Sequence, residues 1–178
     1  MDDSDPDRRR FLHIATCAIG GGLGIAVAAP ALRMCVAPAG SQSVRLPTEP
    51  IDIGSVESIG VGKTWRKRDI VAPVVSDAWT SARDVVLGSA FVRRVTETQV
   101  EAFSAVCPHL GCAVSADGQS NQFLCACHHS RWNAEGELVA ATGPAKRGLD
   151  PLPVEIAGGR LRLTWIRYKL DTASREPA

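Results

Sequence analysis

Four of the six cysteines and three of the four histidines of this 178-residue chain fall within 24 residues, in the boxes 107-CPHLGC-112 and 125-CACHHS-130. Clustered thiols and imidazoles serve metal binding or nucleophilic catalysis. A hydrolase of the Cys–His kind singles out one nucleophile, and no cysteine is singled out here. A structural zinc site favours C-x2-C and H-x3-5-H pairs, usually from a hairpin and a helix. Here one residue separates Cys107 from His109, two separate Cys125 from His128, and fifteen separate His109 from Cys125. Each box therefore offers one thiolate and one imidazole from a short loop, and Cys112 and Cys127 remain as a third pair.

The elements that must position these boxes read as β-strands. Aromatic residues make up only 5% of the chain, while there are 16 glycines and 11 prolines, a mixture suited to short strands and tight turns. Strands are expected at 51–57, 84–95, 99–106 and 121–126. The clearest hairpin joins 153-PVEIA-157 to 160-RLRLTWI-166 through Gly158-Gly159, and its alternation puts Leu161, Leu163 and Trp165 on one face. The stretch 62–81 fits no strand template and reads as an insertion or long loop, with Trp65 and Trp79 as packing residues. The fold class is all-β, a small antiparallel-sheet domain spanning residues 44–170, with 171–178 as a C-terminal tail.

Residues 1–43 are different material. Polar residues 1–10 end in Arg8, Arg9 and Arg10, and no formal charge follows from Phe11 to Leu32. A helix of that length reaches ~33 Å, enough for a hydrocarbon core of roughly 30 Å. Residues 11–33 are therefore expected to form one transmembrane anchor, with the arginines on the cytoplasmic side. Arg8 and Arg9 before Phe11-Leu12 also resemble a twin-arginine export signal. Cys17 and Cys35 read as small apolar residues of this segment. Residues 34–43 read as a flexible linker. The formal net charge of +1 gives no electrostatic footprint for nucleic acid.

The pattern C-x-H-x15-C-x2-H, with an extra cysteine in each box, resembles the Rieske family of [2Fe–2S] proteins. The resemblance implies that Cys107 and Cys125 bind one iron of a single [2Fe–2S] cluster and that His109 and His128 bind the other. It implies a disulfide between Cys112 and Cys127. The segment 143-GPAKRG-148 resembles the family's proline loop, so Gly143 and Pro144 would cover the cluster. Ser130 stands where quinol-oxidising members place a serine that donates to a bridging sulfide. Trp132 stands where a tyrosine usually donates to a cysteine sulfur, so both positions would tune the potential. The usual proline and glycine of the second box are replaced by Ala126 and His129. A residue at position 129 is expected to need an uncommon backbone conformation.

An anchor, a linker and a disulfide-tied cluster domain together resemble the iron–sulfur subunit of a cytochrome bc-type quinol:cytochrome c reductase. That resemblance implies quinol contact through His128, a cytochrome b subunit and a c-type cytochrome as partners, and an oxidising compartment. The chain would be a single-pass protein of a bacterial cytoplasmic membrane, its cluster domain on the periplasmic face. The alternatives are the electron-transfer small subunit of a periplasmic molybdenum oxidase of the arsenite oxidase type, and a stand-alone exported ferredoxin.

Overall fold

The computed structural model describes residues 6–36, 44–62, 64–77, 80–117, 120 and 122–178. They fall into two compact units that divide between Ser43 and Val44. The linker expected at 34–43 is corrected at its start, since residues 34–36 are helical; its remainder, 37–43, and Trp79 lie outside the described residues.

The first unit is one α-helix, α1 (Pro6–Val36). Proline suits the first turn, where its missing N–H has no intrahelical partner to lose. The helix starts earlier than the apolar pattern indicated and takes Arg8–Arg10 into its first turns. Phe11, Ile14, Ile19, Leu23, Ile25, Val27 and Leu32 are all exposed, so no single apolar face is set against a polar one. Pro6–Cys35 is long and apolar enough to cross a membrane.

The second unit holds three antiparallel sheets among the described residues. The first contains β1 (Val44–Arg45), β3 (Arg66–Asp77), β4 (Ser81–Arg94) and β5 (Val100–Ser104), in the order β1-β3-β4-β5. The second contains β2 (Ile51–Ser55), β9 (Val154–Ala157) and β10 (Arg160–Leu163), in the order β2-β10-β9. The third contains β6 (Val114–Ala116), β7 (Phe123–Cys125) and β8 (Arg131–Trp132), in that order. Gly158 and Gly159 both take positive φ, 59° and 75°, which is what a two-residue hairpin turn demands.

The expected loop at 62–81 is corrected by β3, a 12-residue strand paired along most of its length with β4. Its alternation runs from Arg68 to Ala72 and is lost after Pro73. Proline is tolerated because β1 covers only Ser76 and Asp77 on the outer side of β3. The expected tail 171–178 is also corrected. Asp171 N donates to Pro108 O at 2.9 Å, and Ala178 N donates to Arg167 O at 2.8 Å.

Two apolar clusters hold the domain. One joins Ile51, Ile70, Ala90, Val92, Leu161, Leu163 and Trp165 from the first two sheets. Burial of a large apolar side chain is worth about 1.5–3 kcal/mol, so this cluster ties the first two sheets together. Gly88 is needed here, because a Cβ would lie 2.7 Å from the Trp165 ring. The other cluster gathers Trp65, Phe91, Phe123, Trp132 and Leu149 around Cys107 and Cys125. Trp65 packs its ring 5.0 Å from Phe103 and 5.5 Å from Phe123, and donates its N–H to Ala134 O at 3.0 Å.

Candidate metal centre

The two boxes are the loops that leave β5 for β6 and β7 for β8. They are closed in the same way. In the first, Cys107 N donates to Cys112 O at 2.8 Å and Gly111 N donates to Cys107 O at 2.9 Å. In the second, Cys125 N donates to Ser130 O and His129 N to Cys125 O, both at 2.9 Å. The fifth residue of each loop is left-handed, Gly111 at φ 79° and His129 at φ 62°. The sequence expectation of an uncommon backbone at position 129 is therefore met.

These closures turn the donor atoms toward one another. Cys107 and Cys125 are each 1% exposed, with their side chains in contact. Burial chiefly, and the neighbouring Cys125, push the Cys107 thiol up to about 11. The backbone N–H groups of His109 and Leu110 act the other way by donating to its sulfur. His128 is exposed and His109 half-buried, and their rings meet edge to face with centroids 4.9 Å apart. The Cys125 sulfur also lies within 4.8 Å of those of Cys112 and Cys127. Those two form a disulfide, so their sulfurs are spent and Cys125 is the thiol of that group.

The covering segment lies directly on the second box. A Cβ at Gly143 would stand 2.5 Å from Ser130 Oγ and 2.7 Å from His128 O, so only glycine permits this approach. Ala145 N donates to Ser130 Oγ at 3.2 Å, which leaves the buried serine's own proton for another acceptor. Arg131 N donates to Thr142 Oγ1 at 3.0 Å. Trp132 is fully buried and its N–H goes to Arg147 O at 3.1 Å, so it is not directed at a cysteine sulfur.

Sequence reasoning quoted Arg147 within the covering loop but did not see its part. Its side chain is 4% exposed and paired with Asp150, itself 5% exposed, through two hydrogen bonds of 2.8 Å. The available signal was a charged residue inside a glycine–proline loop with an acid three positions on.

Two buried thiols and two neighbouring imidazoles, supplied by opposed loops, fit a [2Fe–2S] centre with mixed ligands.

A profile of the Rieske [2Fe-2S] domain matches residues 73–155. The menaquinol:cytochrome c reductase iron-sulfur subunit of Geobacillus thermodenitrificans is 30% identical over 159 residues, covering 88% of this chain and 89% of that protein. This chain belongs to the Rieske iron–sulfur protein family. The cytochrome b6-f complex iron-sulfur subunit of Chlorobaculum tepidum is 26% identical over 159 residues, 88% of this chain and 75% of that protein. Among solved structures, the cyanobacterial plasma membrane Rieske protein PetC3 from Synechocystis PCC 6803 is 21% identical, with a TM-score of 0.46. That match covers 65% of this chain and 99% of the other. The Rieske domain of this chain is thus of a kind that binds a [2Fe–2S] cluster.

Proposed function

We propose that this Rieske protein is the iron–sulfur subunit of a membrane quinol:cytochrome c oxidoreductase of the cytochrome bc type. Cys107 and Cys125 hold one iron of its cluster, and His109 and His128 hold the other. One observation carries the reading: two imidazoles from opposed loops meet 4.9 Å apart toward the surface, above two thiols that are 1% exposed. The relationship to an enzyme subunit named for menaquinol and cytochrome c supports it.

With two neutral imidazoles in place of two thiolates, the group these residues would hold would supply one-electron chemistry at about −150 to +300 mV, against about −400 mV for plant-type clusters. The chain's own residues set the rest. His128, the more exposed ligand, contacts the quinol: the ring nitrogen it would not give to iron carries an N–H that donates to a quinol oxygen, and only after losing that proton can it take one from the quinol. A hydroquinone must lose both a proton and an electron, so a histidine ligand at the surface serves both transfers. Leu149, Trp132 and Phe123 are 0% exposed and close the buried side of the site to water. The backbone donors at His109 and Leu110, with Ser130 and the cover of Gly143 and Pro144, stabilise negative charge on the sulfur atoms and raise the potential.

α1 serves as a single-pass anchor, with Arg8 and Arg9 as an export signal and on the cytoplasmic side. A cytochrome b subunit and a c-type cytochrome are the partners. The test is a potentiometric titration of the cluster, followed by electron paramagnetic resonance at several pH values. A positive potential that falls as pH rises through the alkaline range is expected. A low potential, flat across neutral and mildly alkaline pH, would instead assign the chain to one-electron relay without quinol.

A further inference from the structure

The Cys112–Cys127 disulfide joins the two loops on their outer side, since Cys127 is exposed and Cys112 half-buried. A second connection runs behind it. Arg147 carries five N–H donors and every one is used. Nε and one Nη2 proton go to the Asp150 carboxylate, each at 2.8 Å. The other Nη2 proton goes to Lys169 O at 2.9 Å, and Nη1 reaches Thr172 O at 2.7 Å and Thr172 Oγ1 at 2.9 Å. Through its own carbonyl, Arg147 also receives the Trp132 N–H two residues beyond the second box.

The segment from Lys169 to Ala178 that Arg147 grips is closed on itself. Lys169 N donates to Glu176 O at 2.8 Å, and the two side chains pair at 2.9 Å. Its turn reaches the first box. Asp171 N donates to Pro108 O at 2.9 Å, and Leu170 lies 3.2 Å from where a Cβ on Gly111 would stand. Lys146 adds a bond to Asp171 O at 3.0 Å and an ion pair with the Asp171 carboxylate at 3.0 Å. A circuit therefore runs from the first box at Pro108, through Asp171 and Thr172, to Arg147, then to Trp132 and the second box.

We propose that this C-terminal strap, locked by Arg147, is a non-covalent clasp across the two cluster loops, acting in parallel with the disulfide, and that Arg147 is a positioning residue for the cluster. The inference rests on the ligand assignment proposed above. Its consequence is energetic coupling. Either clasp alone keeps the loops opposed, so losing both is worse than the two losses multiplied. The clasp also fixes the Pro108–Gly111 turn, whose His109 and Leu110 N–H groups donate to the Cys107 sulfur. Slackening the turn weakens those bonds and lowers the reduction potential.

The test uses the full-length holoprotein as wild type, Thr172→Val, Arg147→Gln, Arg147→Lys and Cys112→Ser, and each strap variant combined with Cys112→Ser. The readouts are the rate of loss of the cluster's visible spectrum and the cluster potential. Thr172→Val removes one hydroxyl acceptor from a charged donor, and should speed cluster loss roughly tenfold in the Cys112→Ser background. With the disulfide intact it should do so far less. Arg147→Gln should lower the potential, and Arg147→Lys, which keeps a charge beside Asp150, should restore part of it. Multiplicative losses together with an unshifted potential would overturn the clasp.

If wild type shows no Rieske spectrum, the ligand assignment fails, and the clasp is then judged separately on metal-free protein. Iodoacetamide labelling of Cys107, mapped by mass spectrometry, should be faster in Thr172→Val with Cys112→Ser than in Cys112→Ser alone. Equal labelling rates would overturn it.

Discussion

Gly111 and His129 occupy the same fifth place in two loops closed by the same pair of hydrogen bonds, and both are left-handed, at φ 79° and 62°. A side chain there costs about 1–2 kcal/mol. Glycine returns roughly 0.5–1 kcal/mol of that through the entropy of the unfolded chain. His129→Gly should therefore stabilise the protein by no more than about 1.5 kcal/mol and leave the cluster spectrum intact. Gly111→Ala should be worse than that exchange is good, since its Cβ would also press on Leu170 at 3.2 Å. Thermal unfolding of the two variants checks both signs.

Trp132 spends its N–H on Arg147 O, so the indole contributes packing and one buried hydrogen bond. Trp132→Phe leaves that carbonyl without its donor, which costs about 1–3 kcal/mol in addition to lost packing. The melting temperature should fall, while the cluster potential falls by less than in Arg147→Gln, because only one link of the strap circuit is cut. Potentiometry on the two purified variants decides, because a drop larger than that of Arg147→Gln would mean that the indole had been acting on a cluster sulfur.

Among the donor residues, Cys107→Ser and His128→Ala should each abolish the cluster spectrum. Cys112→Ser, which removes the disulfide, should keep a fragile cluster of altered potential. A bright, stable cluster in Cys107→Ser would remove that residue from the ligand set, as absorption and paramagnetic resonance spectra would show at once.

Tyr168 is the chain's single tyrosine, so its ionisation is read directly from ultraviolet difference absorbance. Burial first, then the Asp150 carboxylate, raise it, while Arg175 and Arg147 act in the opposite direction. Its hydroxyl donates to Pro151 O at 3.0 Å, a bond that the phenolate cannot make. The midpoint should lie above the ordinary tyrosine value of about 10. Because the folded-state value is raised, the stability this residue contributes is complete below that ordinary value and is lost as pH climbs through the folded one. A midpoint at the ordinary value would show that Tyr168 is solvated.

The meeting of the two boxes and the Cys112–Cys127 disulfide were legible because they follow from residue type and short spacing. The hairpin 153–166 was legible because Leu161, Leu163 and Trp165 alternate cleanly and all three are buried. β3 was not, since Pro73 argues against a strand and the period on which strand reading depends is lost after it. β6 and β8, of three and two residues, are too short to carry any period. The strap was invisible for another reason. Residues 167-RYKLDTASREPA-178 are polar and aperiodic, and they attach largely through backbone groups such as Asp171 N and Lys169 O, which no side-chain pattern records.

The break in β3 also bears on how copies of this protein behave in a crowded compartment. A long strand with an open outer side invites a second molecule to add its own strand there. Among the described residues, β1 shields only Ser76 and Asp77. Farther along, Pro73 has no N–H to offer, so an incoming strand would find an interrupted row of donors. Pro73, the residue that obscured β3 in the sequence, thus serves as a guard against edge-to-edge aggregation.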